Sequence, residues 1–430
     1  MPRLLPPKEI KEICRSLEQA GFEAWCVGGA VRDALLGIDT LDWDIATSAR
    51  PEQVQKLFRR TVPVGIQFGT VGVLDRHGVL HEVTTFRHDV ETDGRHAVVR
   101  FGASLEEDLA RRDFTINAIA VHAETLEVRD PFGGRADLEA GLVRCVGVAR
   151  ERMTEDRLRA LRAIRFAGRF GFRIEPETWE AIRESAPHLG RLSMERVKQE
   201  LEKVMEQVAR PAETLERYRA AGIFGALVPS LADAPRARFA AVDHLARPGL
   251  AGRPGRRALR LAALFVEPGQ APPRELERTL KALKYSNVEA REAVALAQGA
   301  AAVPWPLDLA LDGAPLRRLV ATVGRLELRA LARLLWARTA VARADVAVDG
   351  ADAAAARRAG IALYRRATRI AWRDPITIGD LAVDGDDLRG AGVPAGRAMG
   401  ETLARLLEAV LDDPTLNTRE RLLALVAPPA

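Results

Sequence analysis

The sequence predicts an α+β chain: a small mixed sheet with helices packed on it, followed by an all-helical remainder. Three observations carry this reading. As far as residue 86 the apolar pattern runs helix, strand, helix, strand, helix and then a hairpin. From Thr154 it takes up the helical period. Beyond about residue 210 it stays helical, broken by proline- and glycine-rich stretches at 247–255, 268–273 and 304–315.

The elements follow in order. Ile10, Ile13, Leu17 and Ala20 recur at helical spacing over residues 8–20. Residues 24–27 form an apolar run that reads as a strand. Gly28 and Gly29 come next, and residues 30–36 read as a helix closed by Gly37. Leu41-Asp42-Trp43-Asp44-Ile45 then alternates, which puts Asp42 and Asp44 on one face of a strand and Trp43 and Ile45 on the other. Residues 49–60, opened by Pro51, read as a helix. Residues 62–74 and 79–86 read as strands around turn residues Asp75, His77 and Gly78. Residues 87–102 are polar and lack periodicity, so they read as a loop or short hairpin turning at Asp93-Gly94.

Two of these features bear on chemistry. A strand, a glycine pair and a helix start make a phosphate cradle, because glycine lets backbone N–H groups approach an anion and the helix dipole favours negative charge. Arg32, in the first turn, adds a charged donor. Neither a Walker loop nor a G-x-G-x-x-G fingerprint is present. Two carboxylates at the spacing of Asp42 and Asp44 repel unless a cation lies between them, and Mg²⁺ takes such oxygen ligands while leaving positions for substrate phosphates. Taken alone, D-x-D reads first as two solvent-facing aspartates; the glycine pair just upstream changes the weighting. Glu82, among strand residues, reads equally as a third carboxylate near the metal or as a solvated side chain.

GGAVRD followed by DWD resembles the head of class II nucleotidyltransferases, the family of bacterial CCA-adding tRNA nucleotidyltransferases and poly(A) polymerases. The resemblance implies a polymerase-β-like head over residues 1–149, a helical neck for base recognition over 150–210, a helical body over 211–315 and a tail contacting tRNA over 316–430. Arg111-Arg112-Asp113 with Asn117 resembles the family's second motif. Two adjacent arginines cannot share a face, so one is expected at the triphosphate and the other on an acid such as Asp108 or Asp113. Asp130-Pro131-Phe132-Gly133-Gly134 resembles the third motif and reads as a turn.

Thr154 is the expected N-cap of the first neck helix. Asp156, Arg159, Arg162 and Arg165 repeat every third residue along it, and the stretch resembles the fourth motif, E-D-x-x-R-x-x-R. A carboxylate beside a guanidinium offers acceptors and donors to a base edge. The resemblance implies that Asp156 and Arg159 read the base and that Arg162 and Arg165 hold phosphate or ribose. Residues 193–208 resemble the fifth motif, with Glu195 and Arg196 bracing neighbouring helices.

The resemblance further implies template-independent addition of CCA to tRNA from CTP and ATP, with Mg²⁺ as cofactor and pyrophosphate released. Poly(A) addition and addition of only CC or only A share this chemistry. An RNA-binding protein with an inactive head is a reading of a different class. Residues 87–102 are not visibly shortened, which favours full CCA addition. Some relatives carry an HD phosphohydrolase domain after a helix similar to LRLAAL. Here that helix runs into Phe265-Val266-Glu267 without the histidine, so no such activity is expected. His244 lies upstream, and a lone histidine is usually structural.

Composition agrees with this picture. The 430 residues are 47% hydrophobic and 29% charged, as in ordinary globular chains. A net charge of +5 suits a polyanionic partner such as tRNA. The basic residues are mostly arginine, which a GC-rich genome accounts for better than RNA binding does. Three cysteines without C-x-x-C argue against zinc and disulfides and fit a reducing cytoplasm. No signal-like apolar run opens the chain, no stretch is apolar enough to span a membrane, and no protein partner is expected.

Overall fold

In the computed structural model, which describes residues 5–40, 42–92, 97–245, 254–266, 276–303, 311–344 and 350–426, the sheet is built around one short strand. After α1 (Lys8–Gln19) comes β1 (Ala24–Val27), then α2 (Gly29–Leu35), β2 (Asp44–Thr47), α3 (Pro51–Leu57), β3 (Thr61–Gly65), β4 (Thr70–Leu74) and β5 (Leu80–Thr85). A separate hairpin, β6 (Arg87–Thr92) and β7 (Ala97–Phe101), leads to α4 (Leu105–Ala110), β8 (Ala120–Val121) and β9 (Val128–Arg129). The seven-stranded sheet has the order β3-β4-β5-β2-β1-β8-β9. β2 and β5 are parallel and the other neighbours antiparallel, so the sheet is mixed, as expected. Trp25, Val27, Ala46, Phe86, Leu109 and Ala120 pack into one apolar cluster against it.

Residues 62–74 were expected as one strand and are two. β3 and β4 pair antiparallel around a 3-10 turn at Ile66–Phe68, because Gly65 and Gly69 let the chain reverse, Gly69 at φ 86°. Leu41, the Asp93-Gly94 turn and most of the proline- and glycine-rich breaks lie outside the described residues.

The chain continues through α5 (Gly134–Glu139), β10 (Leu142–Val143), α6 (Ala149–Glu155), α7 (Leu158–Phe170), β11 (Arg173–Ile174), α8 (Pro176–Ser185), α9 (Met194–Gln207), α10 (Pro211–Ala220) and α11 (Ile223–Leu227). Thr154 does not cap the neck helix. It lies inside α6 with its hydroxyl donating to the Arg150 carbonyl, and the helix breaks two residues later. Asp156 stands in the break in extended conformation and accepts from the Leu158 amide at 3.1 Å, so Asp156 itself opens α7.

Two compact units result, Met1–Val204 with Arg217–Ala232 and Met205–Glu216 with Asp233–Ala430. The second unit holds α12 (Arg236–Asp243), α13 (Pro254–Phe265), α14 (Leu276–Ala282), α15 (Asn287–Ala302), α16 (Gly313–Val323), α17 (Leu328–Ala344), α18 (Gly350–Arg373), α19 (Gly385–Gly390), α20 (Arg397–Asp412) and α21 (Arg419–Ala424). Arg260 on α13 is buried and donates to the Met205 and Leu245 carbonyls. Val383, Leu388, Leu406, Val410 and Leu422 form a terminal core. Asp384 caps α19 and Thr418 caps α21. Asn417 accepts from the Ala382 amide and donates to the Asp380 carbonyl. Among the described residues no helix is long and apolar enough to cross a membrane.

Candidate active site

The antiparallel register pairs Val27 with Asp44, so the carboxylate stands beside the glycine turn that follows β1. Trp43 and Ile45 are buried, and Asp42 and Asp44 point away from that core, as the alternation predicted. β5 runs parallel to β2 with Ile45 opposite Val83. Glu82 therefore lies next to Asp44 on the same face. Burial, the charge of Asp42 and the charge of Glu82 together push Asp44 up to about 6, and Arg112 partly offsets them. This is the electrostatic mark of a carboxylate group in want of a cation.

Gly28 has φ 76°, a conformation that side-chain-bearing residues rarely adopt. A Cβ there would meet Arg112 Nη1 at 3.0 Å and Asp44 Oδ2 at 3.5 Å. The glycine thus keeps open the space between a guanidinium and the half-buried Asp44 carboxylate. Gly29 begins α2, which has seven residues, and Arg112 stands beside the turn.

Arg32 borders the same glycine pair, its Nη2 3.6 Å from where a Cβ on Gly29 would stand, and it is already engaged. Its guanidinium, 4% exposed, donates to Asp33 Oδ1 from Nε at 2.8 Å and from Nη2 at 2.5 Å, and to Asn117 Oδ1 from Nη1 at 2.6 Å. It lies 4.9 Å from the Phe166 ring and 4.8 Å from the Phe170 ring, both on α7. The expected phosphate donor is instead a buried tie between α2 and α7. It folds inward because an acid, an amide oxygen and two aromatic faces are all within its reach.

Arg111 and Arg112 do not divide their roles as expected. Both bind Asp108, which is 1% exposed: Arg111 through Nε at 2.9 Å and Nη2 at 2.7 Å, Arg112 through Nη2 at 3.2 Å. Ser104 and Glu107 form a capping box that fixes the start of α4 and so the place of Asp108. Asp108 collects both because Arg111 and Arg112 follow the end of α4, at three and four residues from it.

Asp113 pairs with Arg162 through Nε at 2.8 Å and Nη2 at 2.7 Å, and accepts from Asn117 Nδ2 at 2.8 Å. Burial alone would raise the Asp113 carboxyl, but Arg162, Asn117 and Arg159 outweigh it and hold it at about 2. Arg165, expected at phosphate or ribose, is 3% exposed and bound to Glu200 at 2.6 Å, with Phe166 4.2 Å below it. It ties α7 to α9 through Glu200, which also lies 3.8 Å from Arg162.

Asp156 and Arg159 do not pair with each other. Asp156 Oδ2 accepts from Arg196 at 2.6 Å, consistent with the bracing read for α9. Arg159 donates to Glu155 at 2.7 Å and to the Arg152 and Arg111 carbonyls at 3.0 Å. Both stand at the start of α7, Asp156 tied to α9 and Arg159 to the Arg111 carbonyl. Asp130 accepts from the Gly134 and Arg135 amides, so that motif is a turn that starts α5. Residues that sequence reading passed over are Asp33, Glu155, Glu200 and Arg169, which donates to Asp33 Oδ2 at 2.8 Å. The signal available was the i, i+4 aromatic pair Phe166 and Phe170, stacked at 6.1 Å, a cover for guanidinium groups.

A mixed sheet with paired carboxylates beside a glycine turn, joined to an arginine-rich helix, defines a nucleotidyltransferase. Residues 24–144 match the family model described as the poly A polymerase head domain, and residues 171–234 match one described as a probable RNA and SrmB-binding site of polymerase A. A CCA-adding enzyme of Geobacillus kaustophilus is 38% identical over 424 residues, 97% of this chain and 96% of that protein. One from Leuconostoc mesenteroides is 51% identical over 199 residues, 46% of this chain and 49% of that protein. The crystal structure of the Bacillus stearothermophilus CCA-adding enzyme in complex with CTP matches with a TM-score of 0.70 at 34% identity, over 97% of this chain and 96% of that one. The Thermotoga maritima CCA-adding enzyme complexed with tRNA shares the fold, with a TM-score of 0.57 at 21% identity over 97% and 94% of the two chains. The chain belongs to the family of CCA-adding enzymes.

Proposed function

We propose that this chain adds C, C and A in turn to the 3′ end of tRNA, using CTP and ATP and releasing pyrophosphate. The observation that carries the reading is the end-to-end match to a CCA-adding enzyme together with Asp42 and Asp44 at an open glycine turn. In each step the RNA 3′-oxygen forms a bond to the α-phosphorus, the bond from that phosphorus to the bridging oxygen breaks, and the hydroxyl proton is lost.

The family uses a divalent metal, and the donor set fits one. Among the described residues no three His, Cys, Asp or Glu side chains form a ready-made cage. Mg²⁺ needs none, since it binds through one or two carboxylates and substrate phosphates. The raised Asp44 is what such an ion would relieve. Asp42 and Asp44 would hold Mg²⁺, which when bound supplies neutralisation of phosphate charge and a more acidic 3′-hydroxyl.

The remaining roles belong to the chain. Gly28 and Gly29 admit the triphosphate to the backbone, and Arg111 and Arg112 meet its charge. Asp113 and Asn117 hold Arg162 and the neck in place, and Glu82 supports the carboxylate pair. Asp156 and Arg159 read the base. The division into head at 1–149, neck at 150–210, body at 211–315 and tail at 316–430 is proposed on the same footing, as is residence in the cytoplasm.

The test is a gel assay on tRNA lacking its last three nucleotides, with Mg²⁺ and CTP, ATP or both. Two additions with CTP alone and a third only with ATP present are expected. A long ladder with ATP alone would identify a poly(A) polymerase, and arrest after two C with both nucleotides a CC-adding enzyme. Asp42→Ala is expected to lose transfer while keeping tRNA affinity.

A further inference from the structure

Six side chains form a closed circuit that begins and ends on α7. Arg162 on α7 pairs with Asp113, Asp113 accepts from Asn117, and Asn117 accepts from Arg32 on α2. Arg32 pairs with Asp33, and Asp33 accepts from Arg169 at 2.8 Å, back on α7. Asp33 uses separate oxygens for the two arginines: Oδ1 for Arg32 and Oδ2 for Arg169. Phe170 adds a second link, since both Arg32 and Arg169 lie 4.8 Å from its ring.

The two attachment points on α7 have a specific spacing. Arg162 and Arg169 are seven residues apart, about two turns, and so lie on nearly the same side of the helix. Buried Leu161, Ile164 and Phe166, with the bonds from Arg159 and Arg165, already seat α7. The two attachments along one side add a restraint on its roll and tilt. The residues proposed to read the base, Asp156 and Arg159, stand at the N-terminal end of this same helix. A roll of about 10° moves a side-chain tip at helix-surface radius by about 1 Å. A displacement of that size at a reacting or recognising group costs on the order of 100-fold in rate.

We infer that Arg169 and Asp33 are positioning residues for base choice: they refine the orientation of α7 that its core contacts set, and through it where Asp156 and Arg159 meet the nucleotide. This rests on the reading of the chain as a CCA-adding transferase. Arg169 is partly exposed, whereas Asp33 is buried and also binds Arg32, so Arg169 is the cleaner position to change. A purely structural role would lower the melting temperature and leave selectivity unchanged.

The experiment uses the full chain and tRNA lacking CCA. KM for CTP, kcat, and the ratio of CTP to UTP incorporation are measured for the wild type, Arg169→Ala, Arg169→Lys and Asp33→Asn. Arg169→Ala is expected to raise the KM for CTP and lower discrimination against UTP, each about tenfold. Arg169→Lys is expected to recover most of the discrimination, because an ammonium still reaches Asp33. Asp33→Asn carries the same expectation should Arg169→Ala not fold. Wild-type addition with unchanged KM and discrimination in both Arg169→Ala and Asp33→Asn would overturn this inference alone. Absence of C or A addition by the wild type would overturn the transferase reading and this inference with it.

Discussion

Arg32, Arg112 and Arg165 look alike in sequence and end in three different places: a buried tie, the edge of the glycine turn, and a neck brace. What separates them is the acid each finds, and those acids are Asp33, Asp108 and Glu200. Asp33 and Asp108 lie within four residues of their arginines, and Asp108 was read from the sequence as a partner; Glu200 lies 35 residues from Arg165, beyond local spacing rules, and was not. Gly28 was legible for the opposite reason, since a positive φ and a close approach both demand glycine. Gly28→Ala is expected to lower kcat/KM for CTP at least tenfold with a small change in melting temperature, read by paired kinetic and thermal measurements. Asp113 gives a pH prediction. Its folded value of about 2 lies below the unfolded value of about 4, so its stabilisation is complete above pH 4 and is lost as pH falls through 2. The stability gap between the wild type and Asp113→Asn should therefore narrow from pH 4 to pH 2, as followed by urea unfolding.

At the scale of elements, the break between α6 and α7 governs how the neck presents its polar groups. The three-residue repeat of Asp156, Arg159, Arg162 and Arg165 was read along one continuous helix. The break frees Asp156 from that stripe, and the drift of the repeat carries Arg165 round to α9. The tertiary partner decided the outcome: Glu200 is 2% exposed and held below the usual carboxylate range by Arg165 and Arg162 against the cost of burial. Glu200→Ala removes the carboxylate beside the buried Arg165 guanidinium and is expected to cost about 3–5 kcal/mol. Replacing both partners, Arg165→Met with Glu200→Leu, should recover most of that loss in the same denaturation experiment. The strand elements were more legible, because alternation of Asp42, Trp43, Asp44 and Ile45 depends only on which face is buried. The β3–β4 reversal was not, because Gly65 and Gly69 sit inside a run whose apolar pattern alone continues.

For the whole molecule, the head is not separable from the helix that follows it. Residues 1–149 alone would leave Arg32 without Phe166 and Phe170, Asp33 without Arg169 and Asp113 without Arg162. That fragment is expected to lack a cooperative thermal transition; a sharp melt of residues 1–149 would contradict the expectation. The α+β class and the division of labour between sheet and helices could be read from periodicity, while the dependence of one on the other lies in side-chain pairings that periodicity does not encode. β1 illustrates how far this reaches, since it pairs with β2 close by and with Val121 far along the chain. On the ribosome, the stretch from β1 to Arg169 takes roughly 10–30 s to synthesise. Until Val121 emerges one edge of β1 has no partner, and until Arg169 emerges Asp33 lacks its second arginine. A nascent chain of this design must wait for its own neck before it can mature, which makes the emerging head a natural client for chaperones.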